Sequence, residues 1–430
     1  MRIKYLISDG FLNIVFASTI NKIISLCSGI IIVRILSKTE YGIYSYVLNI
    51  VNIALLLNGL GTLTGIRQYG CENIYDPIKQ KSIIRFGLKL GLLFNLFISF
   101  FIILNALFIP QSINNTSNYI LLASFIPVIA YITEAIGNLL IVDEKNRQYS
   151  IYSLLNSFIS FSFILIGSYL YSINGAIMFR YLGDMISVTL AIFLFRNIKN
   201  IFSGIYEKPS AYMRRDFIKF SFTSCANNSI AHLFYNADIF VIGIMIADPN
   251  VIASYKVATT IPLALTFLSS SVMIYVYPKF VKNRANYYWL KKNYSILLIS
   301  LTVINGLISI SFYILAPFII GIIFGRQYVS ISTISFRVLM IGFFFSATLR
   351  VPSGNILDML HLIKPNLYIS IVCGIINIVL NVVLIKEFGC IGAAFATTLT
   401  YLLYGILSNL ILILYIIKIK PKTEIARKIR

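Results

Sequence analysis

Gly137-Asn138-Leu139-Leu140 opens a stretch, closed by Gly175-Ala176, that the chain contains twice. Shifted by 217 positions, Gly137-Asn138 falls on Gly354-Asn355, Leu140 on Leu357, Ser153 on Ser370 and Gly175-Ala176 on Gly392-Ala393, with no gap. Both copies have the same plan. An apolar run ends, a polar hinge with a basic residue (Arg147, Lys364) follows, and a second apolar run leads to a Gly-Ala turn that opens a third. A repeat of this size fixes architecture before any single residue does. In a membrane chain it points to two related halves.

Outward from the repeat, the class is set by composition. The chain has 430 residues, 58% hydrophobic and only 12% charged, with a mean hydropathy of +0.85. Long apolar runs at this density mean a polytopic membrane protein, whose spans must satisfy their own backbone as helices do. About twelve spans of about 20 residues are expected. The first half gives roughly 11–33, 42–65, 85–109, 119–142, 150–171 and 176–195. The second gives roughly 220–246, 251–277, 294–321, 332–357, 366–386 and 391–417. The domain reading is an N-terminal half at 1–200, a cytoplasmic linker at 201–219, a C-terminal half at 220–418 and a basic tail at 419–430. The first run lacks a small-residue cleavage pattern and reads as a retained helix.

The formal charge of +21 would suggest nucleic acid in a soluble protein. Here the basic residues gather at the ends of apolar runs, so topology explains them and no nucleic-acid partner is expected. With the N-terminus cytoplasmic, the outer loops carry only Arg34, Lys38, Arg326, Arg337 and Lys386. Both termini are then inside, in a cytoplasmic membrane. An even number of spans per half relates the two six-helix bundles by an axis along the membrane normal, so they run parallel. The five cysteines show no CxxC spacing and there are two histidines, so neither a zinc site nor another metal centre is expected. No cofactor is implied, and the absence of a Walker A sequence removes ATP as the direct energy source.

The segment Val33-Arg34-Ile35-Leu36-Ser37-Lys38-Thr39-Glu40-Tyr41-Gly42-Ile43-Tyr44 resembles the first-loop signature of polysaccharide-export flippases in the MATE-like (multidrug/oligosaccharidyl-lipid/polysaccharide) superfamily. Ile252-Ala253-Ser254-Tyr255 echoes it in the second half, and Gly389 to Ala394 looks like the turn before the family's last helix. The resemblance implies an all-α, MATE-like integral membrane fold. It also implies a flippase that turns an undecaprenyl-pyrophosphate-linked oligosaccharide, an O-antigen (lipopolysaccharide) or capsule repeat unit, across the inner membrane by alternating access. A polysaccharide polymerase and glycosyltransferases are the implied partners. The alternatives are a cation-coupled drug exporter of the same superfamily and a membrane polymerase or transferase. A Lys and no acid in the first helix speaks against the drug exporter. Short outer loops with few carboxylates speak against an enzyme, so no catalytic residue is named.

Ionisable groups inside spans cost about 2.5–3.5 kcal/mol each on insertion scales and persist where they face a wet cavity, pair or snorkel. Lys22, mid-span, either meets a pyrophosphate or pairs with an acid. Arg34 lines the cavity or sits at the outer interface. Lys256 neutralises a ligand phosphate or pairs with Asp238. Arg350 completes the substrate-binding candidates. Glu134, Asp238 and His232 are the gating or coupling candidates. In the repeat register Thr133-Glu134 falls on Arg350-Val351, which suggests a gate pair between Glu134 and Arg350, or else local partners in each half. A charge swap that works no better than either single change would reject the pair. Arg180 and Asp184, four apart, suit an intrahelical ion pair. Asn227-Asn228, Asn377 and Asn381 suit sugar binding or helix–helix contact. Pro127, Pro262 and Pro317 are expected to kink their spans.

Overall fold

The computed structural model describes residues 11–114, 116–195, 208–284, 286–360 and 362–428. Every regular element among them is helical. In chain order these are α1 (Phe11–Ile35), α2 (Lys38–Leu55), α3 (Thr62–Glu72), α4 (Pro77–Phe108), α5 (Thr116–Ala123), α6 (Ile126–Val142), α7 (Asn146–Leu194) and α8 (Ala211–Met245). Then follow α9 (Pro249–Lys282), α10 (Tyr287–Ile314), α11 (Ala316–Ile323), α12 (Val329–Phe345), α13 (Val351–Met359), α14 (Ile363–Phe388) and α15 (Cys390–Lys428).

Ten helical stretches among the described residues are long and apolar enough to cross a bilayer. One of them, α7, is 49 residues long and is two helices joined across non-helical backbone at Tyr171 and Ser172. The apolar piece Asn236–Met245 of α8 is a further candidate. With these, the expectation of about twelve spans holds. Large apolar side chains such as Phe97, Phe101, Ile304 and Ile314 stand exposed along the spans, as lipid-facing side chains do. Lipid is as apolar as they are, so close packing between helices supplies the cohesion rather than withdrawal from water.

The second expected span differs in detail. It breaks after Leu55, where Gly59, Leu60 and Gly61 all take positive φ, and resumes as α3. Left-handed backbone cannot continue a right-handed helix, and two glycines make the break inexpensive. Arg67, which the bounds 42–65 and 85–109 leave in a loop between spans, consequently lies on a helix. Pro127 and Pro317 lie in the first turns of α6 and α11, where a missing N–H costs nothing, and the expected spans 119–142 and 294–321 break just before them. Pro262 is inside α9.

The loop signature has a physical basis. Ser37 caps α2 as half of a capping box: its hydroxyl accepts from the Glu40 N–H at 3.3 Å, and the Glu40 carboxylate accepts from the Ser37 N–H at 3.0 Å. The second half reaches the same end by other residues. There the Asp248 carboxylate caps α9 by accepting from the Asn250 N–H at 2.8 Å, with Pro249 at the first helical position.

Contacts divide the chain into two compact units, Met1–His232 and Leu233–Arg430. The division falls inside α8; of the linker expected at 201–219, residues 201–207 lie outside the described set and the rest leads into that helix. In the first unit α1 packs along α7, α6 against α7, and α3 against α4. Its core gathers Ile66, Ile83, Ile84, Tyr131 and Phe217. In the second unit α14 and α12 pack on α15, and the core runs through Leu290, Leu357, Cys373 and Leu412.

The repeat is visible in the backbone. α6 ends at Val142 and α13 at Met359; α7 begins at Asn146 and α14 at Ile363. The Lys145 N–H donates to the Leu140 carbonyl at 2.9 Å, and the Leu362 N–H to the Leu357 carbonyl at 2.8 Å. Ser172 has φ 50°, ψ −131°, and Gly389 has φ 59°, ψ −140°. Each pair is separated by the same 217 residues as the sequence repeat.

Candidate functional site

In the first unit the repeated stretch builds a polar pocket of about 290 Å³. Three elements contribute. Arg67 comes from α3; Thr133, Glu134, Gly137 and Asn138 come from α6; Tyr149, Tyr152, Ser153, Asn156 and Ser157 come from the first turns of α7. The hinge after Val142 sends α7 back against α6, so side chains from both sides of the hinge converge. Gly137 forms part of the wall because a Cβ there would lie 3.3 Å from the Tyr149 ring.

Hydrogen bonds fix most of these groups. Arg67 donates from Nε and Nη2 to the Asn138 Oδ1, at 3.0 and 2.6 Å. The Asn138 amide donates onward to the Glu134 carbonyl at 2.8 Å. Glu134 accepts from Asn58 Nδ2 at 2.9 Å, and the Tyr152 hydroxyl donates to the Thr133 carbonyl at 2.9 Å. From α1, Asn21 donates to the Ser153 hydroxyl at 2.6 Å. The Asn156 Oδ1 is buried and has no hydrogen-bond partner among the described residues. An acceptor left in that state costs about 1–3 kcal/mol, which a hydroxyl-bearing ligand or a water would offset. The pocket thus presents a guanidinium, a carboxylate, amides, hydroxyls and two phenol rings inside apolar spans.

The second unit holds a different polar centre. Asp238 is buried, accepting from the Tyr255 hydroxyl at 2.6 Å, the Thr397 hydroxyl at 2.5 Å and Asn381 Nδ2 at 2.8 Å. A small void of about 30 Å³ adjoins it. Lys256 forms no ion pair with Asp238; the ion pairs among the described residues are Lys79–Asp76, Lys145–Asp143 and Arg180–Asp184, the last at 3.9 Å as its spacing suggested. Lys256 is half-buried on α9.

Each member of the expected gate pair has partners in its own unit. Glu134 bonds to Asn58, while Arg350 lies over the Tyr401 and Tyr404 rings at 4.9 and 5.4 Å and donates to the Ser346 hydroxyl at 3.4 Å. Lys22 and Arg34 are exposed on α1. The side chains of His232, Asn227 and Asn228 lie outside the described residues. Asn377 bonds to Thr400 at 3.3 Å and to Asn381 at 3.2 Å, so both asparagines serve helix contacts.

Sequence reasoning found Glu134 and Asp238 but missed most of their neighbours. Arg67 looked like a loop charge, and Asn138 was only a repeat marker. Tyr149, Asn156 and Tyr255 carry no charge to flag them. The signal that would have found Asn138 is its place beside Gly137 at the end of a span.

Residues 7–284 match the family described as "Polysaccharide biosynthesis protein". A curated relative, the probable low-salt glycan biosynthesis flippase Agl15 of Haloferax volcanii, is 27% identical over 237 residues. That alignment covers 53% of this chain and 46% of the relative, so the chain spans a little under half of that relative's length. Among solved structures, an inward-facing multidrug resistance MATE family transporter of the MOP superfamily superposes with a TM-score of 0.75 at 13% identity, covering 93% of this chain and 96% of that one. The lipid II flippase MurJ, in an inward closed conformation, gives 0.72 at 16% identity, with 96% and 90% covered. At such identities the likeness is one of fold.

Proposed function

Because the chain belongs to the family of polysaccharide biosynthesis proteins, we propose that it is a flippase for lipid-linked glycans. The cargo in this reading is an undecaprenyl-pyrophosphate-linked oligosaccharide, the repeat unit of an O-antigen or capsule. Transport proceeds by alternating access in the bacterial inner membrane, with both termini cytoplasmic, alongside a polymerase and glycosyltransferases.

The observation that carries the reading is the polar pocket of about 290 Å³ within apolar spans. A sugar chain cannot cross hydrocarbon with its hydroxyls unpaired. Each hydroxyl both donates and accepts, and the pocket's amides, hydroxyls and carboxylate match that mixed demand. Tyr149 and Tyr152 add ring faces on which a sugar can lie. Lys22, Arg34, Lys256 and Arg350 are the residues assigned to the pyrophosphate. Asp238 is assigned to coupling. Its carboxylate is held by neutral groups, so gain of a proton or small cation would change its bonding to Tyr255, Asn381 and Thr397.

Gene deletion with complementation tests the proposal. Loss of the chain is expected to leave lipid-linked repeat units on the cytoplasmic side and to remove surface polysaccharide. Complementation by an Asn156→Leu variant is expected to restore membrane protein but not polysaccharide. Unchanged surface polysaccharide with new sensitivity to cationic drugs would overturn the reading in favour of a drug exporter.

A further inference from the structure

The first unit contains a second and larger cavity, of about 830 Å³, with a chemistry unlike the polar pocket. Its length follows α4 from Ser82 to Leu93. The eleven steps from Ser82 to Leu93 rise about 16 Å, close to half of the roughly 30 Å hydrocarbon core. Most of its wall is apolar, with Leu92, Ile132, Ile136 and Ile192 facing it from α4, α6 and α7. Four cations line it: Arg85 and Lys89 two to three turns into α4, Lys208 just before α8 and Arg214 in the first turn of α8. No carboxylate is among its described lining residues. The adjoining depression, which shares Ser82 and Lys208, does carry Glu72 and Asp216, so Lys208 stands at the border between the two.

We propose that this cavity is a docking site for an anionic membrane phospholipid. Four like charges around one opening repel one another and favour an anion between them. Basic pockets between transmembrane helices bind anionic head groups on this principle. Past Arg85 the cavity runs on along α4 for about 12 Å. That depth takes much of an acyl chain, with the phosphate at the Ser82 end beside Arg85. A free anion would leave the apolar wall unused, and a zwitterionic lipid brings no net negative charge to a cavity lined by Lys89, Lys208 and Arg214. The site is separate from the glycan pocket, so an occupant would act on the stability of the first unit and not as cargo.

The test uses the full-length protein in a mild detergent, with thermal unfolding followed during titration of dioleoyl-phosphatidylglycerol, dioleoyl-phosphatidylcholine or inorganic phosphate. The phosphatidylglycerol is expected to raise Tm by several degrees, and the other two by much less. In the double variant Lys89→Gln with Arg214→Gln, both exposed positions, the half-saturating phosphatidylglycerol concentration is expected to rise about tenfold, the loss of about 1.4 kcal/mol. Equal shifts with phosphatidylcholine, an equal shift with phosphate alone, or an unchanged half-saturation in the double variant would each overturn the proposal. If the variant does not fold, native mass spectrometry of the unaltered protein decides. Preferential retention of phosphatidylglycerol over phosphatidylcholine supports the site, and equal retention rejects it.

Discussion

The two copies of the repeated stretch share a backbone and differ in what they do with it. Asn138 and Asn355 make the same bond, each amide donating to the carbonyl four residues back, at 2.8 and 2.7 Å. Beyond that, the side chains part company. In the first unit the space beside Gly137 is the open polar pocket. In the second, the corresponding residues bond to one another. The Tyr404 hydroxyl donates to Asn366 Oδ1 at 2.7 Å and lies 3.3 Å from the Ser370 hydroxyl, while Asn366 Nδ2 donates to Asp358 at 2.9 Å. By repeat register Tyr404 stands where the first unit has Ser187, and Arg350 where it has Thr133. A large ring and a stacked guanidinium occupy what small side chains leave free. The lesson is that duplication preserved the turn geometry and left the enclosed space to be specialised.

The largest expected effect tests the shared backbone. A Cβ at Gly175 would lie 1.9 Å from the Gly167 carbonyl oxygen, and one at Gly392 would lie 2.1 Å from that of Leu384, positions that correspond in the repeat. Backbone cannot yield as a side-chain tip does. Gly175→Val and Gly392→Val are each expected to cost about 3 kcal/mol or more, read as lost monodisperse protein and lowered Tm. Equal damage in both units supports a common scaffold; tolerance in one breaks the equivalence.

Next comes the open pocket. Removing the Arg67 side chain deletes two charge-assisted bonds to Asn138, worth about 1.5–3 kcal/mol. Arg67→Leu is expected to lower glycan transport by about 10- to 100-fold at normal membrane abundance. Arg350→Leu in the second unit removes stacking on Tyr401 and Tyr404, a contact of about 0.5–2 kcal/mol, and its transport loss measures whether the second copy also meets cargo.

The bonded cluster of the second unit gives a smaller change. Tyr404→Phe removes the hydroxyl that joins Asn366 and Ser370, with an expected cost of about 1 kcal/mol in unfolding free energy and no change in glycan transport. A transport defect without loss of stability would show that this cluster serves more than packing.

The smallest effect separates the two turns. Ser172 holds a backbone conformation that normally needs glycine. Gly389 holds nearly the same conformation without strain. Gly389→Ser is therefore expected to destabilise by about 1–2 kcal/mol, as strained backbone does. Ser172→Gly is expected to stay within about 1 kcal/mol of neutral, because relief of strain and the greater freedom of glycine in the unfolded chain oppose each other. Thermal unfolding of both variants under one condition makes the comparison.

How far the sequence could be read depends on the kind of signal. Span count, class and repeat register rest on runs of many residues, and no single contact can reverse them. The break at Gly59-Leu60-Gly61 was present as two glycines, but an apolar context hid it. Single charges were found because charge inside a span is rare. Their partners were not found, because neutral residues such as Asn138, Tyr152 and Thr397 are ordinary in a membrane helix until another helix is laid beside them.

By itself, the sequence determined that the chain lies in a membrane as helices and that its halves repeat with a fixed register. Hydrocarbon imposes both span length and internal backbone bonding, so composition and periodicity suffice for the first. An ungapped register suffices for the second. The tertiary structure alone decided that the first copy lines a pocket while matching residues of the second bond to one another. That difference rests on side chains brought together from α3, α6 and α7 in the first unit and from α13, α14 and α15 in the second. Whether such groups leave a pocket or fill it depends on ring size and hydrogen-bond geometry between helices distant in the chain.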